Sequence, residues 1–126
     1  MDFIALDVET ANSDLASLCQ IGCARFRDSE VIEEFSWLVD PEDFFDPVNV
    51  DIHGITEDHV VGAPTFLALS DEINSILDGQ ICVIHTYFDR TAVARACVKY
   101  QINPPLCSWL IGVGKDTSSP PSELCK

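Results

Sequence analysis

Residues 2–9, DFIALDVE, combine a short, dense apolar run with two acids at its end. A run of this length, bounded early and without helical spacing, suits a buried central strand. Side chains at i and i+2 share one face of a strand, so Asp7 and Glu9 point one way and Val8 the other. Two carboxylates at the end of a buried strand repel each other and lose hydration, a cost that hydrogen bonds or cations must offset. Hard divalent ions such as Mg²⁺ take oxygen ligands of this kind. The competing reading is that the strand simply ends there and both acids reach water.

Residues 17–27 and 30–39 read as two more strands joined by a turn over Arg27–Asp28–Ser29–Glu30. The three together predict an antiparallel meander. Residues 40–54 are loop-rich, with Pro41, Pro47, Asn49 and Gly54. Thr56 can cap a short helix, with Glu57 and Asp58 in its first turn. Pro64–Thr65 opens a longer one, in which Phe66, Leu69, Ile73, Ile76 and Leu77 follow helical spacing before Gly79. Residues 81–85, ICVIH, form a compact apolar strand. A helix over about 88–101 puts Val93, Ala96, Cys97 and Tyr100 on one face and stops before Pro104–Pro105. Consecutive strands followed by strand–helix alternation predict an α/β fold, a mixed sheet flanked by helices. From Leu110 the periodicity is lost, so the expected division is a domain over 1–109 and an irregular tail over 110–126.

At 126 residues the chain holds one domain. Its net charge of −14 excludes a broad basic surface for nucleic acid, but leaves room for a small site where cations reverse the local field. The charge is uneven: residues 1–80 carry −16 and residues 81–126 carry +2. The six cysteines form no C-x-x-C pair. The start lacks a basic segment ahead of its apolar stretch, and no apolar run approaches the ~18 residues that span a bilayer. A cytoplasmic protein with reduced thiols and no membrane partner is the expectation.

Asp89 follows the ICVIH strand at the start of the next helix. On its own it reads as a first-turn acid favourable to the helix dipole. Tyr87 and Phe88 can be core or can stack on a base. His53, in HGIT, reads alone as a loop histidine bonded to backbone. His59 and His85 do not share metal-ligand spacing with it. No G-x-S-x-G, G-x-x-x-x-G-K or G-x-G-x-x-G motif is present.

FIALDVETAN, LCQIGCARF, HGIT and HTYFD, in that order, resemble the DnaQ-like (DEDD) 3′–5′ exonucleases of the RNase H-like fold, over roughly residues 2–109. The family is typified by the epsilon proofreading subunit of DNA polymerase III. The resemblance maps its metal-ligating and catalytic acids onto Asp7, Glu9 and Asp89. It maps substrate contacts onto Thr10, His53 and Phe88, with His85 near a position where asparagine is usual. It implies hydrolysis of phosphodiester bonds at single-stranded DNA or RNA 3′ ends, with two Mg²⁺ or Mn²⁺ ions, in DNA replication or repair. A polymerase or a second copy is the implied partner.

The family's third motif, a histidine followed closely by an aspartate on a final helix, has no counterpart. No histidine follows His85, and the only aspartate after Asp89 is Asp116. The fold is therefore expected to be C-terminally incomplete, with apolar surface left uncovered. An inactive remnant or binding module of the same fold is the alternative to an active enzyme.

Overall fold

The computed structural model describes residues 1–112; expectations that fall on residues 113–126, Asp116 and Cys125 among them, lie outside the described residues. Three strands open the chain: β1 (Asp2–Thr10), β2 (Leu18–Arg27) and β3 (Glu30–Leu38). They form the expected meander, with Asp7 opposite Gly22 and Gly22 opposite Ser36. The β2–β3 hairpin turns on Asp28 and Ser29, whose φ values of 52° and 71° are both positive. Two-residue hairpin turns favour that geometry because its twist matches the strands.

A short helix, α1 (Pro47–His53), follows where the sequence reads as loop. Asp46 caps it by accepting from the Val48 amide at 2.9 Å, Pro47 begins it, and Gly54 ends it at φ 76°. It buries none of its residues, so no apolar period announced it; capping chemistry alone specifies it. The helix expected after Thr56 is a 3₁₀ turn, Glu57–Val60, in which the Thr56 amide donates to His59 Nδ1 at 2.9 Å.

Next come α2 (Phe66–Leu77), β4 (Ile81–Ile84), α3 (Tyr87–Tyr100) and β5 (Ser108–Ile111). Thr65 caps α2, and all five apolar positions read from its spacing are buried. The sheet order is β3-β2-β1-β4-β5, with β4 parallel to β1 and β5 parallel to β4. The sheet thus has a second parallel strand beyond the one expected. β5 takes in Leu110 and Ile111, so strand structure continues past residue 109. A four-residue strand between two prolines and a glycine is too short to show a period of its own.

One face of the sheet is sealed. Ile4, Leu6 and Val8 of β1 pack with Leu69, Ile73 and Leu77 of α2 and with Ala92, Val93 and Ala96 of α3. Ala92 and Ala96 are wholly buried; their small side chains let α3 approach the strands closely. Burying each of the large aliphatic side chains contributes about 1.5–3 kcal/mol. The five cysteines among the described residues are free thiols. Among those residues no helix is long and apolar enough to cross a membrane.

Candidate active site

β1 separates its side chains by parity. Ile4, Leu6 and Val8 enter the core, while Asp7 and Glu9 are only half-buried on the other face. A cleft of about 260 Å³ opens on that face, lined by Asp7 and Glu9 together with Gln20, Gly22, Glu34 and Ser36. The cross-strand register explains the lining. Gln20 pairs with Glu9, Gly22 with Asp7, and Ser36 with Gly22, so these positions share rows on one face. Gly22, without a side chain, leaves space beside Asp7.

Asp89 joins this end of β1 through the backbone. β4 pairs with β1 only at Ile4 and Ala5, and β1 continues to Thr10. The Val8 amide donates instead to Asp89 Oδ1 at 3.0 Å. The carboxylate thus satisfies a strand donor that would otherwise be orphaned. Thr86 caps α3 by accepting from the Phe88 amide at 3.2 Å, which sets Asp89 in the first turn, aimed at the strand.

Asp89 is 3% exposed. Burial pushes its carboxyl up from its ordinary 3.8 to about 7; the Val8 amide pulls it down, and the negative charges of Asp7 and then Glu9 push it up again. Asp89 therefore lies within the field of both β1 acids. The structure brings these three carboxylates to one strand end, although Asp89 is not part of the cleft wall.

Thr10 and His53 meet at the same strand end. The β1–β2 register shifts between Glu9 and Thr10. Immediately after the shift, the Thr10 carbonyl is 2.9 Å from His53 Nε2 and accepts from Asn49 Nδ2 at 3.1 Å. The Ile55 amide donates to His53 Nδ1 at 3.0 Å. With Nδ1 accepting, the proton sits on Nε2 and is donated to Thr10, so both ring nitrogens are engaged. Thr10 is 3% exposed, and its hydroxyl donates to the Asn12 carbonyl at 3.1 Å. Asn12, itself buried, donates to the Phe44 carbonyl at 2.9 Å and ties the 40–46 segment to the end of β1. His85 and Phe88 flank Asp89 in sequence and are exposed.

Sequence reasoning missed Asn49, Asn12 and Glu34. Asn49 had a signal: it lies four residues before His53, which places both on one face of a helix once α1 is recognised. Glu34 becomes visible only through the strand register.

Carboxylate oxygens are the donor chemistry of hard divalent cations, and the upward push on Asp89 from two neighbouring negative charges is what a bound cation would relieve. In kind, then, the donor set fits such an ion. Among the described residues, however, no three or more His, Cys, Asp or Glu side chains are gathered closely enough to hold a metal.

Comparison with known proteins agrees with this architecture. DNA polymerase III PolC-type from Streptococcus agalactiae is 28% identical over 85 residues, and the same protein from Streptococcus mutans 27%; each match covers 66% of this chain and 6% of the polymerase. The chain therefore spans a small fraction of the curated relatives it matches. Among solved structures, a product-bound exonuclease I aligns with TM-score 0.76 and 19% identity, over 87% of this chain and 29% of that one. Exonuclease X in complex with 5′ overhanging duplex DNA gives 0.62 and 22%, over 86% and 58%. The nuclease domain of 3′hExo, a DEDDh family member bound to rAMP, gives 0.69 and 15%, over 83% and 62%. The family described as Exonuclease matches residues 4–112, a span that holds every strand-end carboxylate described above, and on that match the chain belongs to the DnaQ-like 3′–5′ exonucleases, with their RNase H-like fold.

Proposed function

We propose that this chain is an exonuclease domain that hydrolyses phosphodiester bonds at nucleic-acid 3′ ends, with Asp7, Glu9 and Asp89 as its working carboxylates. The observation that carries the reading is the Val8–Asp89 hydrogen bond, which holds a buried acid beside two others. Asp7 and Glu9 would hold Mg²⁺ or Mn²⁺ from the open face of β1, and Asp89, kept from rotating away by the Val8 amide, would complete the set. When bound, two such ions supply a polarised water and neutralise charge on the leaving oxygen. His53, with both nitrogens engaged, holds the β1 end through Thr10. Exposed Phe88 and His85 are available to the terminal base. The polymerase relatives support DNA as substrate and a polymerase as partner; rAMP bound to the 3′hExo domain supports an RNA arm in the assay.

A second reading, a binding module of the same fold without turnover, is favoured by one specific observation. The described residues gather no cluster of three His, Cys, Asp or Glu side chains able to hold a metal. One experiment separates the two. A 3′-labelled single-stranded oligonucleotide, DNA or RNA, is incubated with Mg²⁺ or Mn²⁺ and wild type or Asp7→Ala, and Mn²⁺ binding is followed by calorimetry. Shortening by wild type alone supports the enzyme. Mn²⁺ binding lost in Asp7→Ala without any shortening supports the module. Equal signals from both proteins in both measurements would sink each reading.

A further inference from the structure

The surface is overwhelmingly acidic, yet α3 presents an outward face with no exposed acid. Its only carboxylate, Asp89, is turned inward to β1. A shallow groove of about 390 Å³ runs along this face, lined by Tyr87, Arg90, Thr91, Ala94, Arg95 and Val98. At 3.6 residues per turn, Tyr87, Thr91, Ala94 and Val98 fall in one strip, with Arg90 to one side and Arg95 to the other. Small side chains make the floor, and two guanidiniums make the walls. Tyr87 is 67% exposed and Val98 78%, so neither is spent on the core.

The two arginines are distinguished by what they do not do. Arg25 pairs with Glu33 at 2.7 Å, Arg27 pairs with Asp2 at 3.7 Å, and Lys99 donates to the Pro41 carbonyl at 3.1 Å. Arg90 and Arg95 make no ion pair among the described residues, on a chain with three acids for every base. The described residues hold nineteen acids, so two exposed arginines kept apart from all of these mark a place prepared for an anion from outside. The strip is about 16 Å long from Tyr87 to Val98, and its head adjoins Asp89. An extended anionic polymer fits a strip of this length and charge, and a phosphate–sugar chain matches it better than an acidic peptide because Tyr87 offers a face for base stacking.

We infer that the outward face of α3 is a track for single-stranded nucleic acid, with Arg90 and Arg95 bound to backbone phosphates and Tyr87 stacked on a base. The inference rests on the exonuclease reading and extends it from the reacting end to the strand behind it. Its test avoids catalysis. Binding of a short fluorescent oligothymidine is measured in EDTA at several salt concentrations, for wild type, Arg90→Glu, Arg95→Glu, Tyr87→Ala and the charge-matched control Arg27→Glu. Each α3 arginine variant should weaken binding roughly tenfold at low salt, and the doubly substituted protein should lower the salt slope by about 1.4. Tyr87→Ala should weaken it roughly fivefold or more. Arg27→Glu should change little. Equal loss in the control, no loss in the α3 variants, or no binding by wild type would each overturn the track. So would an oligoglutamate peptide that binds in an Arg95-dependent way while the oligonucleotide does not, which assigns the face to a protein partner. Strand shortening by wild type with binding indifferent to Arg90 and Arg95 removes the track and leaves the exonuclease reading standing.

Discussion

The two faces of β1 are made by alternate residues of one strand, and they answer to different physics. Leu6 is fully buried under α2 and α3; Asp7, the next residue, is half-buried in an acidic cleft. On one face the requirement is close packing, which tolerates no missing volume. On the other it is the placement of charges that repel each other. Stability and chemistry are thus separated by a single step along the chain, and a substitution on either side should report one without the other.

The largest effect should come from the packed face. Leu6→Ala leaves a cavity between sheet and helices and should cost about 2–5 kcal/mol in urea denaturation. Asp7→Ala should leave stability within about 1 kcal/mol of wild type. If Asp7→Ala destabilises as much as Leu6→Ala, the division between the faces fails.

The second test uses pH. Asp89 titrates near 3.8 when unfolded and near 7 when folded. Between these values the folded state keeps a proton that the unfolded chain has lost, so this group's contribution to stability falls as pH rises from about 4 to about 7. The slope from Asp89 is at most about 1.4 kcal/mol per pH unit. Asp89→Asn should flatten that part of the profile in urea melts across the window. Parallel profiles for the two proteins would show that the carboxyl is not held as described.

The third test addresses the clamp at the strand end. Asn49→Ala removes the bonds to the Thr10 carbonyl and hydroxyl, at 3.1 and 3.3 Å, and should cost about 1 kcal/mol. Asn49→Asp offers acceptors where donors are needed and should not restore it. Recovery by Asp would show that Asn49 acts through helix capping or charge instead.

The smallest effect lies far from both faces. Asp28 and Ser29 adopt the positive φ values that Asn-Gly adopts readily. The pair Asp28→Asn with Ser29→Gly should raise stability by about 0.5 kcal/mol, seen as a higher thermal midpoint.

These tests also show which features a sequence displays. β1's alternation, the hairpin at Asp28–Ser29 and the spacing from Phe66 to Leu77 were legible because each is a local pattern set by one element's own period. The pairing of Asp7 with Glu9 was legible for the same reason. α1 and β5 were not. One buries nothing, and the other is four residues long, so neither imposes a hydrophobic period. Asp89 could be placed on a helix start, but its bond to Val8 spans eighty-one positions and depends on how far β4 extends. Asn49 and Glu34 enter the site region through tertiary contact and register alone. Naming Asp89, Thr10 and His53 beforehand needed the family resemblance, since no local rule singles them out.

The mismatch in length between β1 and β4 has an architectural consequence. Asp89 occupies the seat opposite Val8 that β4 would fill if it ran two residues further in the same register. Two added residues at the end of β4 would complete the ladder, evict the carboxylate and push α3 away, all without touching an acidic residue. In this fold the reach of an acid is encoded in where its neighbouring strand stops, so insertions and deletions just ahead of Thr86 should be as damaging as loss of the acid itself.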